Sequence, residues 1–249
     1  MGSDVTASDT NRNGSGTLYL LPVPLSDTRP DEVLPAANIA VASRLRHFIV
    51  ENVRSARRFL KRCNPAIEID ALTFSVLDVN TPESDVTAMM APLRHGEDMG
   101  VISEAGCPAV ADPGALAVAE AQRMGAKVVP LVGPSSILMA LMGSGFNGQS
   151  FAFRGYLPID EHERASELRR LERISAKEGQ TQIFIETPYR NTRLITTMLS
   201  TLADDTQLCV ATDITGPAQR IVTRSIKSWR GQDVTYCHKV PTIFLIHRY

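Results

Sequence analysis

Val101-Ile-Ser-Glu-Ala-Gly-Cys-Pro-Ala-Val-Ala-Asp-Pro-Gly114 is the stretch from which the fold can be read. It follows a short apolar run, Met99–Ser103, which reads as a strand, and it leads into an Ala-rich amphipathic segment, Ala115–Met124, which reads as a helix ended by Gly125. The segment between them, Glu104–Gly114, is therefore a strand-to-helix loop, and open α/β sheets build their sites just past the carboxyl ends of their strands. Gly106 allows a ligand to approach the backbone closely. Asp112 can cap the following helix, and Pro113 suits its first turn. A well-built structural loop accounts for these features as readily as a binding loop does.

Outward from this loop the same alternation repeats. Upstream, strands are expected at Thr17–Val23, His47–Glu51 and Leu72–Leu77, with helices at Leu34–Arg46, Val53–Cys63 and Glu83–Arg94. Downstream, Lys127–Val132 is a strand and Ser135–Met142 a helix, joined by a second strand-to-helix loop, Gly133-Pro134-Ser135-Ser136, with exposed amides and hydroxyls. Regular strand–helix alternation predicts a largely parallel, doubly wound sheet. Gly143, Gly145 and Gly148 then interrupt the chain, and the domain boundary is placed there. The expected organisation is a lead-in over residues 1–16, an N-terminal α/β domain over 17–145 and a C-terminal α/β domain over 146–249. In the second domain, strands are read at Phe151–Leu157, Thr181–Glu186, Gln207–Asp213 and Thr242–His247, and helices at Glu161–Lys177 and Pro188–Leu202; Gln219–Trp229 fits either type. That pattern predicts a smaller α/β layer with a mixed sheet.

Composition removes several classes. The 249 residues are 43% hydrophobic and 21% charged, a globular balance, and the net charge of −1 means that any nucleic-acid contact must come from a local patch. Two patches stand out: Arg54, Arg57, Arg58, Lys61 and Arg62, and then Arg169, Arg170 and Arg173. Each also reads as a solvated helix face. Cys63, Cys107, Cys209 and Cys237 are far apart and form no C-x-x-C, and the five histidines lack ligand spacing, so neither a disulfide framework nor a metal site is expected. No apolar run approaches a membrane span of about 20 residues. The polar first 16 residues lack the apolar core of a secretory signal and read as a disordered lead-in to a cytoplasmic protein.

Gly143-Ser-Gly145-Phe-Asn-Gly148 matches G-x-G-x-x-G but follows a helix and precedes a strand, the reverse of a dinucleotide-binding turn, so it is read as an interdomain turn. There is no G-x-x-x-x-G-K-[ST] phosphate loop and no G-x-S-x-G elbow. Ile185-Glu-Thr-Pro-Tyr-Arg190 lies at another strand end; Tyr189 could stack on a ring and Arg190 could hold an anion, and helix-start chemistry explains the same residues.

In this order, the loops resemble those of the tetrapyrrole methylase superfamily, the class III SAM-dependent methyltransferases, and most of all its ribosomal RNA small-subunit methyltransferase I branch. Leu18-Tyr-Leu-Leu-Pro-Val-Pro24 looks like the family's opening strand and Pro-rich loop. Ile102-Ser-Glu-Ala-Gly-Cys-Pro-Ala-Val-Ala-Asp-Pro-Gly114 is similar to V-S-D-A-G-x-P-x-x-x-D-P-G. Pro130-Leu-Val-Gly-Pro-Ser135, Phe151-Ala-Phe-Arg-Gly-Tyr-Leu-Pro158 and Ile185-Glu-Thr-Pro-Tyr-Arg190 are similar to P-x-P-G-P-S, F-x-F-x-G-F-L-P and Y-E-S-P-H-R. The resemblance runs from Thr17 to the end of the chain.

The resemblance implies two α/β domains with a cleft between them for S-adenosyl-L-methionine (SAM). It places Pro24, Gly106, Cys107, Val110, Ser135, Ser136, Glu186, Thr187, Ala211, Thr212, Pro241 and Thr242 at the cofactor, held mostly by backbone. It also implies a homodimer and a cytidine 2′-hydroxyl of small-subunit ribosomal RNA as acceptor. Methylating a hydroxyl needs a partner for the departing proton; Glu51 and Glu104, at strand ends, are the candidates, although either could be a cap or an ion-pair partner. Arg54 and Arg57, with Tyr189 and Arg190, are the candidate RNA contacts. Three acceptor-side segments depart from the branch: Ser26-Asp-Thr-Arg-Pro-Asp31 for G-N-x-x-D, Glu51-Asn-Val-Arg54 for E-D-T-R, and Ala211-Thr-Asp-Ile-Thr-Gly216 for A-R-E-L-T-K. A tetrapyrrole or other small-molecule acceptor, and a SAM-binding paralogue without catalysis, are the alternatives these departures leave.

Overall fold

The computed structural model describes residues 14–249, which divide into two compact units: residues 14–24 with Arg29–Pro134, and Leu25–Thr28 with Ser135–Tyr249. Most of the lead-in expected over residues 1–16 lies outside the described residues.

The first unit contains strands β1 (Thr17–Leu21), β2 (His47–Val50), β3 (Thr73–Val76), β4 (Met99–Ile102) and β5 (Lys127–Pro130). They form one parallel sheet in the order β3-β2-β4-β1-β5. Its helices are α1 (Pro30–Val33), α2 (Ala36–Arg44), α3 (Val53–Cys63), α4 (Glu83–Met89), α5 (Ala91–Arg94) and α6 (Gly114–Arg123). Alternation along the strands separates two cores. Leu21, Phe48, Val50 and Ile102 face Ala42, Ala56, Phe59 and Leu60 of α2 and α3. Leu18, Leu20, Ile49, Met99 and Val101 face Val86, Leu93, Ala117 and Ala121 of α4 to α6. Burial on both faces is what a parallel sheet requires. The helices after β1 and β2 thus lie on one face and the helix after β4 on the other, so the loops leaving these adjacent strands diverge and open a crevice at their carboxyl ends.

Proline shifts the start of one expected helix and divides another. Pro35 holds Leu34 extended, φ −114° and ψ 141°, so the helix expected over Leu34–Arg46 is α2, starting at Ala36, and the short α1 before it is an element the sequence reading did not contain. Pro92 starts α5 and divides the Glu83–Arg94 segment.

The second unit contains α7 (Ser136–Ser144), β6 (Phe151–Tyr156), α8 (Glu161–Glu178), β7 (Thr181–Ile185), α9 (Asn191–Thr201), β8 (Gln207–Thr212), β9 (Arg220–Ser225), α10 (Ile226–Trp229) and β10 (Thr242–His247). Its sheet runs β6-β7-β10-β8-β9, with β6 and β7 parallel and the other pairs antiparallel. The ambiguous Gln219–Trp229 segment is β9 followed by α10, where the Ser225 hydroxyl accepts from the Ser228 amide. Helices α8 to α10 cover one face through Leu168, Leu171, Ile195 and Trp229. Helix α7 covers the other, with Ala140 and Leu141 against Ile183, Cys209, Ala211 and Leu245. That packing assigns α7 to the second unit, so the division falls at Pro134–Ser135, upstream of the expected glycine cluster. Gly145, at φ +77°, caps the end of α7, so the G-x-G-x-x-G match lies inside the second unit as a helix end rather than at the interdomain turn expected for it.

Candidate active site

In the first unit the loops after β1, β4 and β5 are tied to one another mainly by backbone. Val23 and Gly106 exchange both hydrogen bonds, at 2.9 and 3.0 Å. The Cys107 thiol donates to the Pro134 carbonyl at 3.3 Å, and the Asn38 amide donates to the Val132 carbonyl at 2.7 Å. Gly133 lies so close to Pro22 that an added Cβ would meet the Pro22 Cβ at 2.1 Å. Pro24, Gly106 and Cys107 thus share one rim, and Val110 is half exposed on the same β4 loop. This loop is tightly wound: Gly106, Ala109 and Ala111 have φ of +73°, +66° and +61°. Left-handed alanines persist only where the surroundings over-determine them. Here Asp112 Oδ1 accepts from the Ala109 amide at 2.9 Å and the Gly114 amide at 2.7 Å, fixing the turn and the start of α6. Burial pushes the Cys107 thiol above its ordinary range, so it packs as a neutral group.

The two candidate bases meet at this edge. Glu51 follows β2 and accepts from the Glu104 amide at 3.2 Å, while Glu104 accepts from the Ser55 hydroxyl at 3.0 Å. A small cleft at the sheet edge is lined by Glu51, Ser103 and Asp112 above apolar walls of Ile49, Leu77, Val101 and Ile102. Burial raises the Glu51 pKa; the Glu104 amide opposes the shift, and the neighbouring Asp112 and Glu104 charges add to it. Asp112 is also raised by burial, against its two amide donors. Asp112 is the cleft residue that sequence reasoning treated as a helix cap alone; its carboxylate does that work and also faces the cleft.

Helix α3 begins two residues after Glu51, with Asn52 as its N-cap accepting from the Arg54 and Ser55 amides. Arg54, Arg57, Arg58, Lys61 and Arg62 are all exposed on it, and no acid lies within the helix. Arg57 pairs with exposed Asp70 at 3.1 Å and lies over the Phe74 ring.

In the second unit Glu186, Thr187, Ala211, Thr212, Pro241 and Thr242 lie at one sheet edge. Ala211 and Thr212 end β8, where Thr212 is opposite Thr242, and the Asp213 amide donates to the Pro241 carbonyl at 3.0 Å. Ser135 is the N-cap of α7, its hydroxyl accepting from the Leu138 amide, and Ser136 is the first residue of that helix. Arg190 is not a free anion receptor: Glu186 accepts from it at 2.6 and 2.9 Å, and from the Thr187 amide at 2.6 Å. The Glu186 side chain is 2% exposed, so this ion pair is internal wiring that leaves backbone, not carboxylate, for a ligand. Tyr189 is 71% exposed. Two departures from the family pattern also touch: the Ser26 hydroxyl is 3.2 Å from that of Thr215.

Asn191 was not singled out from the sequence. It is fully buried, and its amide reaches the Cys237 carbonyl at 2.9 Å, the Val240 carbonyl at 2.7 Å and the Thr242 hydroxyl at 3.0 Å. Sequence pattern gave it no signal, because its partners are about 50 residues away.

Among the described residues no helix is long and apolar enough to cross a membrane, and no group of three or more His, Cys, Asp or Glu could hold a metal ion.

Residues 31–229 match the family of Tetrapyrrole (Corrin/Porphyrin) Methylases. The chain is 28% identical over 248 residues to the ribosomal RNA small subunit methyltransferase I of Vibrio cholerae, covering 98% of this chain and 82% of that protein. It is 30% identical over 216 residues to the protein of that name from Mesorhizobium japonicum, covering 85% and 68%. To the one from Micromonospora olivasterospora it is 34% identical over 207 residues, covering 82% and 62%. The fold is similar to that of the methyltransferase CobJ, with TM-score 0.60 and 17% identity over 94% of each chain. It is also similar to that of the cobalt precorrin-4 methyltransferase CbiF, with TM-score 0.59 and 15% identity over 93% of this chain and 94% of that one. With most of its length matched, the chain belongs to the tetrapyrrole methylase family and is a methyltransferase.

Proposed function

We propose that the chain transfers a methyl group from SAM to small-subunit ribosomal RNA, with a cytidine ribose 2′-hydroxyl as acceptor, and that it works as a cytoplasmic homodimer. The observation that carries the reading is the Glu51 carboxylate, half-buried at the sheet edge beside Glu104 and Asp112, with its proton affinity raised. The names of the relatives supply the RNA; the exposed cations of α3, beginning next to Glu51, supply a surface suited to phosphates.

SAM fits the donor set of the first unit. Pro24, Gly106, Cys107 and Val110 offer it backbone groups and no Lys or Arg, while the small carboxylate-lined cleft beside Glu51 shares none of these residues and is left to the proton acceptor. The backbone-laced rim of Pro24, Gly106 and Cys107, with Val110 on the same loop, and the second unit's edge of Ala211, Thr212, Pro241 and Thr242 are the segments assigned to holding it. Ser135, Ser136, Glu186 and Thr187 complete that assignment, with Glu186 acting through its backbone. SAM supplies an electrophilic methyl group, so the protein's main task is alignment. Glu51 takes the acceptor hydroxyl's proton, and a raised carboxyl pKa moves it toward the pH at which a general base is most effective. Glu104 orients Glu51 through its amide and is itself held by Ser55. Arg54 and Arg57 bind phosphates flanking the acceptor.

The test is methyl transfer from radiolabelled SAM to small-subunit RNA lacking its modifications, followed by nuclease digestion and nucleoside mass analysis. Label in 2′-O-methylcytidine is expected. Label on a base, or none under conditions where the protein binds SAM, refutes the reading. Size-exclusion chromatography with light scattering checks the dimer.

A further inference from the structure

Lys239 has a backbone conformation that non-glycine residues rarely adopt, with φ +62°. Its surroundings enforce it. The Lys239 amide donates to the Pro188 carbonyl at 3.0 Å. The Asn191 amide nitrogen spends its two hydrogens among three acceptors on the same turn, while its Oδ1 is buried without a partner. A buried amide left half satisfied is costly, as is a left-handed lysine. The turn is therefore fixed against two local preferences. What it achieves is to deliver the Lys239 ammonium over the ring of Tyr189, 5.6 Å from its centroid. Tyr189 is anchored on both sides, by the Pro188 carbonyl bond to Lys239 and by the ion pair of Arg190 with Glu186, yet it is 71% exposed.

An exposed aromatic ring with an ammonium over it, both carried on constrained backbone, matches a nucleotide: a base has a π-face to stack, and its phosphate is an anion a few ångströms away. We propose that Tyr189 and Lys239 form a clamp for one unpaired nucleotide of the RNA, with Asn191 as the positioning residue that holds Lys239 in place. The inference rests on the RNA reading given above and adds a site in the second unit. It also explains why strain is tolerated at a position where glycine would relieve it.

That strain provides the test. Lys239→Gly releases the backbone and removes the ammonium, so it is expected to melt no lower than the parent while binding RNA more weakly. Tyr189→Leu removes the ring. Binding of a fluorescein-labelled single-stranded fragment of small-subunit RNA is followed by anisotropy at several salt concentrations, with S-adenosylhomocysteine binding measured by calorimetry on the same proteins. Lys239→Gly is expected to weaken RNA about fivefold and to reduce the salt slope by about 0.7, the value for one phosphate on a single strand. Tyr189→Leu is expected to weaken it about tenfold, within the range for one stacked base. Neither changes S-adenosylhomocysteine affinity. Parental RNA affinity and salt slope in both variants would overturn the clamp and leave the RNA reading intact. A loss of S-adenosylhomocysteine affinity would reassign the pair to the cofactor and overturn it. Absence of RNA binding by the parent protein would overturn the RNA reading and the clamp together.

Discussion

The functional edges of the two units are built by different means. In the first unit, three loops are tied largely main chain to main chain, with glycines where backbones approach and a cleft that faces outward with carboxylates. In the second, buried side-chain struts join the main-chain bonds of Asp213 with Pro241 and of Lys239 with Pro188: Glu186 with Arg190, and Asn191 with three acceptors. A backbone-built edge frees its side chains for chemistry. A side-chain-built edge consumes them, so a residue that looks like a ligand contact can be a structural strut. The two kinds of edge should therefore respond oppositely to substitution.

The largest expected effect is on activity. Glu51→Gln in the first unit should lower kcat by about 10²- to 10⁴-fold, the range for loss of a general base, with little change in S-adenosylhomocysteine affinity. Its effect on stability has the opposite sign. Burial raises the folded-state pKa of Glu51, so the folded protein binds this proton more tightly than the unfolded chain. The contribution of Glu51 to stability is most favourable below the ordinary carboxylate range, declines as pH rises through the window just above it, and is flat beyond. Urea titrations at pH 4 and pH 8 should show Glu51→Gln gaining on the parent at pH 8. A loss of stability at pH 8 with full activity would make Glu51 a strut.

Arg190→Ala in the second unit should destabilise by about 3 kcal/mol, because it leaves the Glu186 carboxylate buried without its partner. Chemical denaturation reads this directly, and a change below about 0.5 kcal/mol, the level of a surface substitution, would erase the contrast between the edges. Gly133→Ala comes next, at about 2 kcal/mol, because its Cβ would strike the rigid Pro22 ring and force the β1 and β5 loops apart. It should weaken S-adenosylhomocysteine along with stability, since the same backbone forms the rim. An unchanged affinity would separate that rim from the cofactor.

How far these edges could be read from sequence follows the same division. The parallel sheet of the first unit was legible, because strands buried on both faces appear as short apolar runs separated by helices. The β4 loop was legible because glycine, proline and a capping aspartate are local signals. Where the reading slipped, at Glu83–Arg94, the helical periodicity was given more weight than Pro92, whereas at Leu34–Arg46 it overran only the two ends of α2. The placement of α7 was hidden because its partners, Ile183, Cys209 and Leu245, are distant in sequence, whereas the glycines after it are a local break. Arg190 read as an anion contact because its pairing with Glu186 depends on a tight turn that the motif does not spell out. Asn191, Lys239 and the cleft-facing role of Asp112 stayed hidden for the same reason: their meaning lies in long-range contacts and in a backbone angle.

The central claim, a SAM-dependent methyltransferase, is tested most directly by calorimetric titration of the purified protein with SAM and S-adenosylhomocysteine. The account predicts saturable binding of both, one ligand per chain. Absence of heat from either SAM or S-adenosylhomocysteine at millimolar concentration, with the protein folded by circular dichroism, would contradict it.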